Sequence, residues 1–221
     1  RGHWSDSLTW APGLMPVAGA DVTIPVGDTV ELDVSPPRLN RLTILGALVV
    51  APGRDIQLTA HEVHVRGTFR IGTEAAPYTR RFILTLTGVP DGVVTALGSK
   101  VLAVFPGGTL DIHGEQRLGW TRLAATAPPG ATTLSLLEPT NWRIVVASTD
   151  FDPAEAEEAV VTAATPTSVT LDRALRHEHW GTVQQVAGRS VDERAEVGLL
   201  TRNITVQGDS SSSNGFGGHM I

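Results

Sequence analysis

Cysteine is absent from the 221 residues, which removes disulfides, thiolate metal sites and a cysteine nucleophile together. The compartment stays open, because a large secreted β protein folds without disulfides and only small domains generally need them. Lysine occurs once, at Lys100, so arginine supplies the other 16 of the 17 basic side chains. That nearly excludes a P-loop lysine or a lysine Schiff base. Charged residues make up 18%, below the usual level of about 25%. No apolar run reaches the roughly 18 residues of a membrane span, and no charged-then-apolar leader opens the chain. The net charge of −6 opposes nucleic-acid binding, which wants a basic stripe.

What is present favours strands. Glycine and proline are abundant, at 23 and 14 residues, and Val, Thr and Ile recur in short runs between them. A hydrophobic content of 41% and a mean hydropathy of +0.04 support burial, and the length suits one sizeable core plus an appendage. The expectation is an all-β protein. Gly46, Gly67, Gly88 and Gly108 follow β-rich runs at intervals of 21, 21 and 20 residues. A constant period of this size predicts stacked repeats, a parallel β-helix in which glycines occupy the corners. Leu42, Ile44, Val63, Val65, Ile83, Leu110 and Ile112 would then line the buried face. An antiparallel sandwich is the competing architecture.

The period breaks after Gly114. Irregular spacing over 115–190 predicts a small β-subdomain, with Val169 to Leu171 returning on Ala159 to Ala163 as a hairpin. Asp152 and Pro153 predict a capped short helix. Leu200, Ile204 and Val206 mark a return of the strand register, a soft loop spans 209–218, and the last residues read as the start of another rung. The predicted domains are 1–114, 115–190 and 191–221, a segment of something longer.

Several strings in order carry a family likeness: HWSDSLTW at 3–10, VTIPVGDTVELDVSPPRLNRLTILGALVV at 22–50, GGTLDIHG at 107–114, GWTRLAATAPPGATTLSL at 119–136, RIVVASTDFDPAEAEE at 143–158, VDERAEVGLLTRNITVQGD at 191–209 and NGFGGHMI at 214–221. They resemble the eight-glycine (G8) domain and adjoining β-helix of the cell-migration-inducing hyaluronidase, transmembrane hyaluronidase and fibrocystin-like group. The resemblance implies a right-handed parallel β-helix, a secreted or cell-surface location and, for animal members, hyaluronan depolymerisation or binding. It also places a histidine-rich rung beyond Ile221. The arginine-rich, cysteine-free usage points to a bacterial member.

Asp192, Glu193, Arg194 and Glu196 form the densest charged cluster. On a strand, Asp192, Arg194 and Glu196 share one face. Asp192 and Glu196 would lie about 13 Å apart, too far for the carboxyl pair of a glycosidase, so one needs a partner from another strand. Arg194 could hold a substrate carboxylate, and an ion-pair ladder is the competing role. His219, after Gly217 and Gly218, is the histidine suited to acid/base work. Arg202 and Asn203 are expected sugar contacts. Trp120, Trp142 and Trp180 could stack on sugar rings or pack internally. Asp150 and Asp152 could hold a hard cation such as calcium, with capping by Asp152 in competition. His177, Glu178 and His179 read as a solvated turn, His61 and His64 as surface residues, and His113 as a rung closure.

The functional expectation is an extracellular protein cleaving hyaluronan-like or other acidic polysaccharide. A glycan- or protein-binding module is the alternative, and a calcium-assisted lyase the third reading.

Overall fold

The computed structural model describes residues 1–89, 97–138, 140, 142–211 and 215–221. Every regular element among them is a β-strand or a three-residue 3-10 turn, so the protein is all-β. The chain divides into two compact units, Arg1–Glu115 with Arg202–Ile221, and Gln116–Thr201.

The first unit begins with β1 (Gly2–His3), β2 (Asp21–Ile24), β3 (Thr29–Leu32), β4 (Leu39–Ile44), β5 (Ala47–Val50), β6 (Ile56–Val65), β7 (Thr68–Ile71), β8 (Phe82–Leu86), β9 (Val101–Val104) and β10 (Thr109–Ile112). Through β8, successive strands alternate between two parallel sheets, one ordered β1-β3-β5-β7-β10 and the other containing β2, β4, β6 and β8. Alternating burial along β3, β5 and β7 sends every second side chain inward. Parallel register then stacks like on like. Val22, Leu42, Val63 and Leu102 form one inner row, and Val30, Leu48, Phe69 and Leu110 another. Each fully buried Leu, Ile or Phe contributes about 1.5–3 kcal/mol.

The corners show which glycines belong together. Thr68 donates its N–H to Gly46 O, and Thr109 donates to Gly67 O, so Gly46, Gly67 and Gly108 follow one another at a single corner. A Cβ on Gly67 would lie 2.0 Å from Gly46 O. Gly88, which the constant spacing assigns to this corner, instead follows β8 at φ +135° and abuts the His61 ring. The rung from Gly67 to Gly108 is longer because the ten-residue β6 pairs with both β8 and β9.

The second unit holds β11 (Trp120–Arg122), β12 (Thr133–Ser135), β13 (Trp142–Val146), β14 (Glu157–Ala164), β15 (Ser168–Leu171), β16 (Gln184–Val186), β17 (Arg189–Val191) and β18 (Glu196–Leu199). Six of them make an antiparallel sheet ordered β11-β18-β13-β14-β15-β12, over a core that includes Leu134, Ile144, Val146, Val169 and Val197. β14 and β15 form a hairpin. Ala187 and Gly188, both at positive φ, turn the β16–β17 hairpin as a primed turn requires. Asp152 caps a 3-10 turn, Pro153–Glu155, by accepting from Ala154 N–H.

Stacking thus covers the first unit only, and the chain mixes parallel with antiparallel pairing. The second unit also runs to Thr201 rather than 190, because β18 pairs with β11 and β13. Leu200, expected on an apolar face, is 45% exposed. Parallel pairing resumes at β19 (Ile204–Gly208) beside β8 and ends at β20 (His219–Met220) beside β9. Of the predicted soft loop, 212–214 lie outside the described residues.

Candidate functional site

An open groove of about 930 Å³ in the second unit gathers residues from five separate segments, including Arg122, Asp150, Glu155, Trp180, Asp192 and Arg194. It holds all four residues of the charged cluster singled out in the sequence, Asp192, Glu193, Arg194 and Glu196, but not as one strand. Residues 192–195 lie outside the strands, so Arg194 folds back on Asp192, donating from Nε and Nη2 to the two carboxylate oxygens at 2.8 Å each. Arg122, opposite Glu196 in the β11–β18 register, reaches Asp192 at 2.6 Å and Glu196 at 3.4 Å. The Arg194 hydrogen bonds, seconded by Arg122, hold the Asp192 carboxyl well below the usual carboxylate range. Asp192 in turn raises the Arg194 guanidinium.

Next to this cluster lies a pair, His179 and Glu157, of which the sequence reading treats only the histidine, and as solvent-facing. His179 is fully buried, held in place by reciprocal backbone hydrogen bonds with Ala127. Its Nδ1 is 2.9 Å from Ala147 O and its Nε2 3.2 Å from Glu157 Oε1. Glu157 also accepts the backbone N–H groups of Arg176 and His177 at 2.9 Å. Burial pushes the Glu157 carboxyl up, but these amides and His179 outweigh it and leave it lowered. The solvated-turn reading is corrected for His179, while Glu178 is exposed as expected: the burial of His179 depends on a bridge to residue 127, some fifty positions upstream, which no local pattern announces.

The groove offers aromatic surface as well. Trp180 is half-buried, its backbone N–H donating to Thr149 Oγ1 and its indole N–H to Thr182 O, while Phe151 is fully exposed at the rim. Trp120 stands exposed on β11 with the Arg122 guanidinium 5.5 Å from its ring. Trp142 packs against Arg117 at 3.5 Å. Among the described lining residues, six carboxylates face three arginines. The calcium expectation finds no such arrangement: Asp152 is spent as a cap, Asp150 accepts from Phe151 N–H, and no three His, Asp or Glu side chains converge among the described residues.

The remaining predicted residues belong to the first unit. Asn203 is buried, and its amide donates to Tyr78 O and Arg80 O and accepts from Glu115 N–H. Both amide hydrogens are thus engaged with backbone, which corrects the expectation of a sugar contact. Arg202 is exposed beside it. His219, on β20, has Nε2 3.0 Å from Leu97 O. The sole lysine is fully buried, Lys100 Nζ meeting Asp209 at 2.8 Å, Ser211 Oγ at 2.9 Å and Phe216 O at 3.0 Å. These bonds hold the Asp209 carboxyl well down. His113 pairs with Asp111 at 2.8 Å beside the Tyr78–Gly114 bridge. His64 Nε2 lies 3.1 Å from the buried Glu62, off the line of a hydrogen bond, and burial lowers it. A second cavity, of about 710 Å³ near β1 and β2, holds none of the candidate residues.

Sequence comparison places this geometry in a family. The G8 domain model matches residues 9–124. Human fibrocystin-L is 36% identical over 221 positions, covering 94% of this chain and 5% of that protein, and mouse fibrocystin-L is 35% identical with the same coverage. A G8 domain-containing protein of Dictyostelium discoideum is 30% identical over 241 positions, covering 99% of this chain and 16% of that protein. The chain therefore spans a small fraction of each of these relatives. With the family match running from the first stacked strands to the edge of the second unit, the chain belongs to the G8 domain family.

Proposed function

We propose that this chain is a glycan-binding, non-catalytic module of a secreted or cell-surface protein. Its first unit winds as a right-handed parallel β-helix that continues into further rungs. The alternation of strands between two parallel sheets supports the winding, and the fibrocystin-L likeness supports a place within a much longer chain.

One observation carries the binding reading. The groove sets Trp180 and Phe151 beside fixed charged groups, the combination of apolar ring face and oriented polar atoms that accommodates a sugar. Asp192 is unsuited to be the acid of a cleavage. A glycosidase needs one carboxyl that stays protonated to donate to the leaving oxygen, and Asp192 is clamped in its ionised form by two arginines. The surplus of carboxylates over arginines would also repel a uronate polymer, so the ligand is a glycan without acid groups rather than hyaluronan.

The test is a binding panel on the 221-residue chain with neutral hexose oligomers, N-acetylhexosamine oligomers and hyaluronan, followed by sizing of each polymer. Retention of an uncharged oligomer, weakened about tenfold by Trp180→Ala, or about 1.4 kcal/mol, is expected. Shortening of hyaluronan that Asp192→Asn abolishes would restore the hydrolase reading, and unsaturated products would restore the lyase. Retention of none of these glycans would sink both the module and its proposed ligand class.

A further inference from the structure

We infer that His179 works as a doubly protonated positioning residue, and that its loss of a proton loosens the 176–180 wall of the groove. The consequence for ligand binding rests on the glycan reading; the state of the ring does not.

A neutral imidazole has one N–H and one bare nitrogen. Here each ring nitrogen faces an oxygen that only accepts, Ala147 O at 2.9 Å and Glu157 Oε1 at 3.2 Å. The ring is fully buried, so water cannot take the place of either partner. A neutral ring would leave a lone pair against an oxygen lone pair, a costly arrangement in a buried site. The proton does not sit on Glu157, because that carboxylate already accepts the N–H groups of Arg176 and His177. Those same bonds explain why the pair matters. Glu157 fixes the backbone at Arg176 and His177, and within the next three residues come His179 and the groove-lining Trp180.

The charged or titratable groups on the elements around the ring are Asp150 after β13, Glu155, Glu157 and Glu158 on the turn and β14, Arg176, His177 and Glu178 in its own segment, and Arg194 and Glu196 flanking Ala195. Among the described residues, only Glu157 has a charged atom within hydrogen-bond distance of the ring. Its negative charge stabilises the imidazolium.

The experiment is long-range ¹H–¹⁵N correlation of the His179 ring in the 221-residue protein at pH 7, followed upward in pH with the Trp180 indole N–H as a reporter of the wall. Both ring nitrogens are expected in their protonated range at pH 7, and the indole signal is expected to shift as His179 titrates. In Glu157→Gln, a near-isosteric change, the ring should be singly protonated at pH 7. A neutral tautomer in the unmodified protein at pH 7 overturns the inference, and so does an indole signal that ignores the His179 titration. Binding of the uncharged oligomer should fall at least threefold across the same titration, and a flat profile with a normal ring titration overturns the coupling to ligand. Absence of glycan binding at every pH defeats the glycan reading, while the ring spectrum still decides the positioning role.

Discussion

In the parallel unit, a side chain meets its counterpart one rung away, as Leu42 meets Val63. The antiparallel unit brings together partners that share no spacing, as Arg122 meets Glu196 and His179 meets Glu157. The first arrangement repeats an apolar interior and is intolerant at its corners, where backbones approach within a Cβ's width. The second builds an open groove from distant segments. A stack pairs residues one rung apart, including Arg41 with Glu62 and Arg70 with Asp111, whereas a sheet of mixed strand order joins residues with no common spacing.

The sharpest way to break this contrast is to compare glycines across the units. Gly67→Ala puts a Cβ 2.0 Å from backbone at Gly46, and a loss above about 3 kcal/mol is expected in a denaturant titration. Gly198→Ala in β18 meets only a side-chain methyl, Val145 Cγ1 at 3.3 Å, and should cost under about 1 kcal/mol. Equal losses would show that the stacked corner is no tighter than the antiparallel ladder. Large-to-small changes come close behind: Phe69→Ala in the parallel core should cost about 3–5 kcal/mol and Ile144→Ala in the antiparallel core about 2–5 kcal/mol, both read as midpoint shifts.

Acid stability separates the units more finely. Asp209 and Glu157 are each held below their ordinary values when folded. Their stabilisation is therefore complete above the unfolded carboxylate range of about 3.9 to 4.3 and is lost as pH falls through that range toward the folded values. Melting curves between pH 6 and 3 should show a shallower acid slope in Asp209→Asn and in Glu157→Gln than in the unmodified protein. An unchanged slope in either variant would remove that clamp from its unit's account. The smallest effect is expected for Asp192→Asn, whose pairs with Arg122 and Arg194 are partly solvent-exposed; such pairs contribute little. Its melting temperature should stay nearly unchanged, and a large drop would make the charged cluster a structural clamp.

The inner rows were partly legible in advance because period-two alternation is local: Leu42, Ile44, Val63 and Val65 fall where it puts them, whereas Ile83 sits between the buried Phe82 and Leu84 and Ile112 is 38% exposed. The capping role of Asp152 was equally local. Gly88 misled because its spacing mimics a rung, while the extra pairing of β6 lengthens the true one. Asn203 looked like an exposed polar residue beside Arg202; only the fold reveals carbonyls of Tyr78 and Arg80 within reach of its amide. Glu157 carried no signal at all, since its partners lie about twenty residues downstream across a hairpin.

The sequence by itself determined an all-β chain, free of cysteine chemistry, with stacked apolar rows and the ordered motifs of its family. Those properties follow from residue type and short-range periodicity, which the chain carries wherever it folds. Tertiary structure alone decided that β18 serves the antiparallel sheet, that Arg122 joins Asp192 to Glu196, and that His179 is sealed between a carbonyl and a carboxylate. Each depends on which non-neighbouring strands pair, and strand pairing is settled by the collective fit of two cores rather than by any local run of residues.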